Sequence, residues 1–257
     1  MTAIADAIRE KTGGSTQLTP AEMVDAILGI KSRIEFTRDG SGNIVGVSLY
    51  GLSEIPEKAF YQHTFSGSTT LQWVDFTNSP GISKIGNSAF SGCTALTSIN
   101  LPDTITEIGT AAFSDCTALT SINFPDSLTK IGAKAFSNCR SLQFETLPQT
   151  IKSVGEGAFF NCSALTNVEI QCNLTPGPTI FEKCTGLKCV WIRSTCNTIS
   201  GTTNNGNSAP FYRAGIYGVF GISVEHKTKP SGFFNRFEFK DRTTKHPVEY
   251  GVTERPW

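Results

Sequence analysis

Cysteine offers the most reactive chemistry in this 257-residue chain, and there are eight of them. Thiols can bridge, bind zinc as thiolates or attack carbonyl carbons. Spacing decides between these uses. Cys93, Cys116, Cys139 and Cys162 are each 23 residues apart, and Cys184 follows after 22. A constant step of this kind is not a metal-ligand spacing: no C-x-x-C pair occurs and no His is near. A thiol at the same inward place in successive turns of chain is most simply a small buried apolar residue, although stacked neighbours could also approach bridging distance. Cys172, Cys189 and Cys196 fall off the series and make only a weak zinc set. His63, His226 and His246 are far apart, and no P-loop, G-x-S-x-G or H-E-x-x-H is written anywhere. The expectation is a non-enzymatic protein without metal or cofactor, with an enzyme hidden in the C-terminal region as a remote alternative.

The cysteines belong to a longer repeated phrase. Phe90, Phe113, Phe136 and Phe159 keep the same 23-residue step. One copy reads Ile105, Ile108-Gly109, Ala112-Phe113, Cys116, Leu119, Ile122, Phe124-Pro125. Self-similarity at a fixed short period signals a solenoid. In Ile122-Asn123-Phe124 apolar residues alternate with a polar one, the period of a strand. Pro125 ends that strand, because it has no N–H for the ladder. Ile105 and Ile108 before Gly109 suggest a second short extended piece and a turn. Ala112-Phe113 suits one tight helical turn that carries the ring inward. No coil can cover its own apolar side, so neighbours must stack roughly 4.8 Å apart.

The phrase I-G-x-x-A-F-x-x-C-x-x-L-x-x-I-x-L-P resembles the BspA-like class of leucine-rich repeats, over roughly residues 52 to 192. The resemblance implies a right-handed solenoid with parallel sheets, used mostly for binding on bacterial or viral surfaces. The fold class expected is a mainly β repeat solenoid of about six coils, with short helical turns, a small N-terminal helical segment and β-rich caps. The expected division is 1–30 helical attachment segment, 31–51 hairpin cap, 52–194 solenoid and 195–257 loop and C-terminal cap.

In the first segment Ile4 and Ile8 share one helical face, and Gly13-Gly14 ends it. Thr19-Pro20-Ala21-Glu22 is a capping box, followed by the apolar stripe Met23, Val24, Ile27 and Leu28. Helices this short need a partner surface, either the solenoid's own end or another subunit. The segment resembles the N-terminus of tail-associated minor structural proteins of phages and prophages of Gram-positive bacteria. That resemblance implies attachment to other virion proteins through Ile4, Ile8, Met23, Val24 and Ile27, display on a virion surface, and synthesis in the host cytoplasm without a signal peptide. A bacterial cell-surface adhesin of the same repeat class is the alternative. A homo-oligomer is compatible with either.

Ile34 to Leu49 reads as a hairpin around Asp39-Gly40-Ser41-Gly42-Asn43. That loop lacks the sixth-position Gly and closing Glu of a calcium loop, so it is a turn. Thr195 to Asn207 reads as a loop. The 22 basic and 22 acidic side chains leave no net charge to attract nucleic acid or an anionic membrane. No apolar run is long enough to cross a bilayer.

With the core columns assigned to packing, any function falls to the residues between them. On the first strand of each coil the outward positions run Trp73 and Asp75, Ser98 and Asn100, Ser121 and Asn123, Phe144 or Thr146, Asn167 and Glu169, Cys189 and Trp191. Trp73, Asp75, Asn100, Asn123, Phe144, Glu169 and Trp191 are the candidate binding residues, with the two tryptophans as anchors for a glycan or protein. The fourth coil is irregular, with Glu145 where other coils place Ile or Val. A bulge turning Phe144 inward and Glu145 outward would resolve it.

Overall fold

The computed structural model describes residues 33–62, 65, 68–172 and 179–193, and the backbone of short strands at 198–199, 221–224, 232–233 and 248–250. It opens with strand β1 (Arg33–Arg38) running antiparallel to β2 (Ile44–Tyr50). Asp39 organises the turn between them: its Oδ1 accepts the N–H groups of Ser41 and Asn43, both at 2.9 Å. The Asn43 side-chain amide bonds its other oxygen, and these hydrogen bonds hold the Asp39 carboxyl below its ordinary value. The expected hairpin is present.

The coils then alternate between two faces. The chain passes through β3 (Glu54–Ile55), β4 (Trp73–Asn78), β5 (Lys84–Ile85), β6 (Ser98–Ile99), β7 (Glu107–Ile108), β8 (Ser121–Ile122), β9 (Lys130–Ile131), β10 (Thr146–Leu147), β11 (Ser153–Val154), β12 (Asn167–Ile170) and β13 (Cys189–Ile192). Its backbone continues through β14 (Thr198–Ile199), β15 (Gly221–Val224), β16 (Gly232–Phe233) and β17 (Val248–Tyr250). One sheet is wholly parallel in the order β3-β5-β7-β9-β11. On the other face β2 pairs with β4, β6 with β8, and β10-β12-β13-β15-β17 form a parallel sheet. The hairpin therefore continues this second face through β2. The Thr195–Asn207 stretch, expected to be loop throughout, contributes β14, which pairs in parallel with β16.

No helix occurs among the described residues. The expected helical turn at Ala-Phe is a run of single turns: Ala112 N–H bonds Gly109 C=O, Ser114 bonds Ala111, and Cys116 bonds Phe113. These turns need two residues per coil in the left-handed region. One column holds Lys58, Ser88, Ala111, Lys134, Gly157 and Thr179, and the other holds Gly92, Asp115, Asn138, Asn161 and Lys183. Asn and Asp tolerate that region best after Gly. In the second column they also bond one another, Asn161 Nδ2 to Asn138 Oδ1 at 2.9 Å and Asn138 Nδ2 to Asp115 Oδ1 at 2.8 Å. Gly86, Gly109, Gly132 and Gly155 serve a different need. A Cβ at Gly132 would stand 2.5 Å from the backbone of Gly109 and Thr110, so only glycine lets adjacent coils approach there.

The core is a set of columns running along the stack. Phe60, Phe90, Phe113, Phe136, Phe159 and Phe181 are fully buried and stack in sequence, with centroids 5.1–5.4 Å apart. Phe65, in the insertion of the first coil, packs edge-on against Phe60 at 5.2 Å and stacks on Phe36 of the hairpin at 5.8 Å.

The cysteine column is buried, and all seven cysteines among the described residues are free thiols. The reading as small core residues therefore holds, with one addition. Each thiol donates to the Phe carbonyl of the coil before it: Cys93 to Phe60 at 3.3 Å, Cys116 to Phe90 at 3.1 Å, Cys139 to Phe113 at 3.0 Å, Cys162 to Phe136 at 3.2 Å and Cys184 to Phe159 at 3.0 Å. The Phe113 carbonyl thus takes one N–H from Cys116 in its own coil and one S–H from the next. Both of its acceptor sites are used in a place water cannot reach.

On the outer side of the β3-β5-β7-β9-β11 sheet the register aligns Glu54, Lys84, Glu107 and Lys130 in a row of alternating sign. Glu107 lies 2.9 Å from the Lys130 ammonium and 3.4 Å from that of Lys84. The Lys130 hydrogen bond is the main reason its carboxyl sits below the ordinary value. Such solvated pairs add little stability, and they sit opposite the binding candidates.

Candidate functional site

Every coil puts its binding candidates on the face that carries β4, β6, β8 and β12. The structure sorts them into three groups. Trp73 remains outside, 37% exposed, and is the large apolar side chain most open to solvent among the described residues. Its indole lies flat across Gly46, the residue opposite it on β2: a Cβ at Gly46 would fall 2.0 Å from the ring. A bare glycine beneath an aromatic ring gives the ring a fixed seat while leaving its outer face free. Asn100 is also exposed, as are Ser98 and Ser121 on neighbouring rungs.

A second group is structural. Asp75 accepts the amide and hydroxyl of Thr77 at 2.8 and 2.6 Å, and these bonds lower its carboxyl. They finish β4. Asn123 clamps the preceding coil: its Oδ1 accepts Leu101 N–H at 2.6 Å and its Nδ2 donates to Leu101 C=O at 2.9 Å. It replaces backbone pairing where the chain leaves the strand.

The third group corrects the expectation. Phe144 is only 8% exposed and packs against Phe124 at 5.1 Å and Phe159 at 4.9 Å, so it belongs to the core. Glu169 and Trp191 are each 3% exposed. Gln171 donates to Glu169 Oε1 at 2.7 Å, Arg193 approaches the same oxygen at 3.7 Å, and the Arg193 guanidinium lies 4.4 Å over the Trp191 ring. Glu169 and Trp191 alternate with the core residues Val168, Ile170 and Val190 along their strands, but an outward position is not always a solvated one. Trp191 is covered, and among the described residues Trp73 is the large aromatic left exposed on this face. Ile4, Ile8, Met23, Val24 and Ile27, the three histidines and Cys196 lie outside the described residues. Among those that are described, no three metal-binding side chains meet, and no helix is long and apolar enough to cross a membrane.

The fourth coil supplies a feature that the candidate set lacked. Ser121 pairs with Gln143, a step of 22, whereas Thr146 pairs with Glu169, a step of 23. One residue is taken up between them. Phe144 turns inward and Glu145 is exposed, as the bulge reading requires. The break leaves a notch of about 340 Å³ bordered by Ser121, Gln143, Phe144, Glu145, Thr166 and Asn167. Glu145 in an apolar column was the sequence signal for it. Gln143 carried none.

Stacked coils with parallel strands on two faces and a column of inward Leu and Ile side chains define a leucine-rich repeat solenoid. The BspA type leucine rich repeat region matches residues 51–123 and 83–208, in six copies. These spans cover more than half of the chain, and the protein belongs to that family. None of the curated proteins compared with it is significantly similar in sequence. A leucine-rich repeat protein from Eubacterium ventriosum shares the fold, with a TM-score of 0.53 at 19% identity over 76% of this chain and 56% of that one. The T. pallidum leucine rich repeat protein is 30% identical over 61% of this chain and 78% of that one, with a TM-score of 0.49. A leucine-rich repeat protein from Bacteroides ovatus is 24% identical, covers 71% and 48%, and has a TM-score of 0.48. The chain spans about half the length of the Eubacterium and Bacteroides proteins.

Proposed function

We propose that the protein is a non-enzymatic, surface-displayed adhesion module that holds a cell-surface glycan or protein on the open face around Trp73. The observation that carries this reading is the Trp73 ring, seated on Gly46 and left exposed beside rungs of small polar residues. A rigid aromatic with one free face contributes disproportionately to binding energy, and the stacked coils fix its position without a loop. Membership in the BspA-type family supports the same reading. Binding of labelled protein to panels of intact bacterial and epithelial cells tests it. Trp73→Ala is expected to weaken cell binding about 30-fold or more while the thermal transition stays near that of the parent. Unchanged binding by this variant would remove the assignment.

The carrier of the module is a bacterial cell or a virion. The phrase at Ile4–Ile8 and Met23–Ile27, similar to tail-associated phage proteins, favours the virion, with other virion proteins as partners of that segment. Deleting residues 1–30 is then expected to abolish incorporation into particles, read by immunoblotting of purified virions. Full incorporation of the truncated protein would leave the cell-surface adhesin as the reading.

A further inference from the structure

We propose that the notch at the register break is a subsite for a neutral saccharide unit, a reading that rests on the adhesive function above. Its volume of about 340 Å³ is at the small end of ligand sites, suited to one or two sugar rings. The bordering polar side chains are the hydroxyls of Thr120, Ser121 and Thr166, the amides of Gln143 and Asn167, and the carboxylate of Glu145. Hydroxyls and amides each both donate and accept, which is what the adjacent hydroxyls of a sugar require. No Lys, Arg or His borders the notch, and its one charge is negative, so a phosphate, sulfate or sialic acid would be repelled.

The backbone argues against a peptide. On one side Thr120 C=O accepts Gln143 N–H at 2.9 Å, and on the other Glu145 C=O accepts Glu169 N–H at 2.6 Å. An added strand needs a row of unpaired backbone groups, whereas here the ladder is closed on both sides and, among the described residues, only the single rung between Gln143 C=O and Thr166 N–H is unbonded. The one apolar element, Phe144, is core, so no socket receives a large apolar side chain.

The notch also lies in line with Trp73. Thr97 N–H bonds Gln72 C=O, Thr120 bonds Thr97, and Gln143 bonds Thr120, at 3.2, 2.8 and 2.9 Å. Three strand spacings, roughly 14 Å, therefore separate the two rungs. A short oligosaccharide reaches both, with one ring on the indole and another in the notch.

Calorimetric titration of the full chain with chitotriose, cellotriose and mannotriose tests the proposal. At least one is expected to bind saturably, with sialyllactose weaker. Gln143→Ala and Asn167→Ala should each weaken that binding about tenfold or more, and Lys130→Ala, on the opposite sheet, should not. Absence of binding by all three trisaccharides, indifference to both notch substitutions, or tighter binding of hexalysine than of any sugar would overturn it. If cells still bind in a Trp73-dependent manner when no sugar does, the notch falls and the adhesive reading stands. If sugars bind at the notch and cells do not, the converse holds.

Discussion

Phe113→Ala is expected to destabilise the protein by about 3–5 kcal/mol. The ring is fully buried between those of Phe90 and Phe136, at 5.2 and 5.3 Å, with planes within 6° of parallel. Truncation removes the burial of the ring, two stacking contacts and the support of the flanking coils. It also leaves a cavity that rigid stacked backbones cannot close. Repeat arrays are held by nearest-neighbour interfaces, so damage at a central coil weakens both interfaces at once. Urea denaturation followed by circular dichroism measures the effect, with Ser98→Ala as a surface reference expected within about 0.5 kcal/mol of the parent. A loss for Phe113→Ala no larger than for that reference would mean that the aromatic column fills space without holding the coils together.

Stability is also expected to collapse as the pH rises above 9. An ordinary thiol titrates near 9.0, whereas burial pushes Cys93 up to about 12 and raises Cys116, Cys139 and Cys162 as well. Above the ordinary value the unfolded chain loses these protons and the folded chain keeps them. The folded state then binds more protons, so stability falls with rising pH; below pH 9 the contribution is fully present. Each thiol contributes about 1.4 kcal/mol per pH unit in that window. Four together approach about 5 kcal/mol per unit, comparable to the whole stability of a typical domain. Urea midpoints at pH 8, 9 and 10 in reducing buffer measure the slope. Replacing Cys116 and Cys139 by Ala should roughly halve it, and parallel pH profiles for parent and variant would refute the account.

The repeat columns were legible because stacking imposes identity. A side chain that meets its own copy every coil must keep its size, and the 23-residue step of Phe and Cys records this. The bulge at Glu145 was legible for the opposite reason, as an acid placed where the stack allows none. The thiol donors were harder to foresee, since a cysteine in an apolar column reads the same whether or not its S–H is used. The left-handed columns were hidden too. Lys58, Ser88, Ala111 and Lys134 carry no turn signature, and only Gly157 in the same column betrays the backbone they share. The binding face was half legible. Alternation says on which side of a strand Glu169 and Trp191 stand, but solvation depends on what packs there, and that is not a property of the strand.

The row Glu54, Lys84, Glu107, Lys130 bears on how such an array changes its length. Near-identical repeats invite recombination that removes or adds a coil. Loss of the coil carrying Lys84 would set Glu54 beside Glu107, and loss of the one carrying Glu107 would set Lys84 beside Lys130. Loss of both would restore an unlike pair, Glu54 with Lys130. The alternating row therefore sets like charges side by side when either inner coil is lost, and unlike charges when both are.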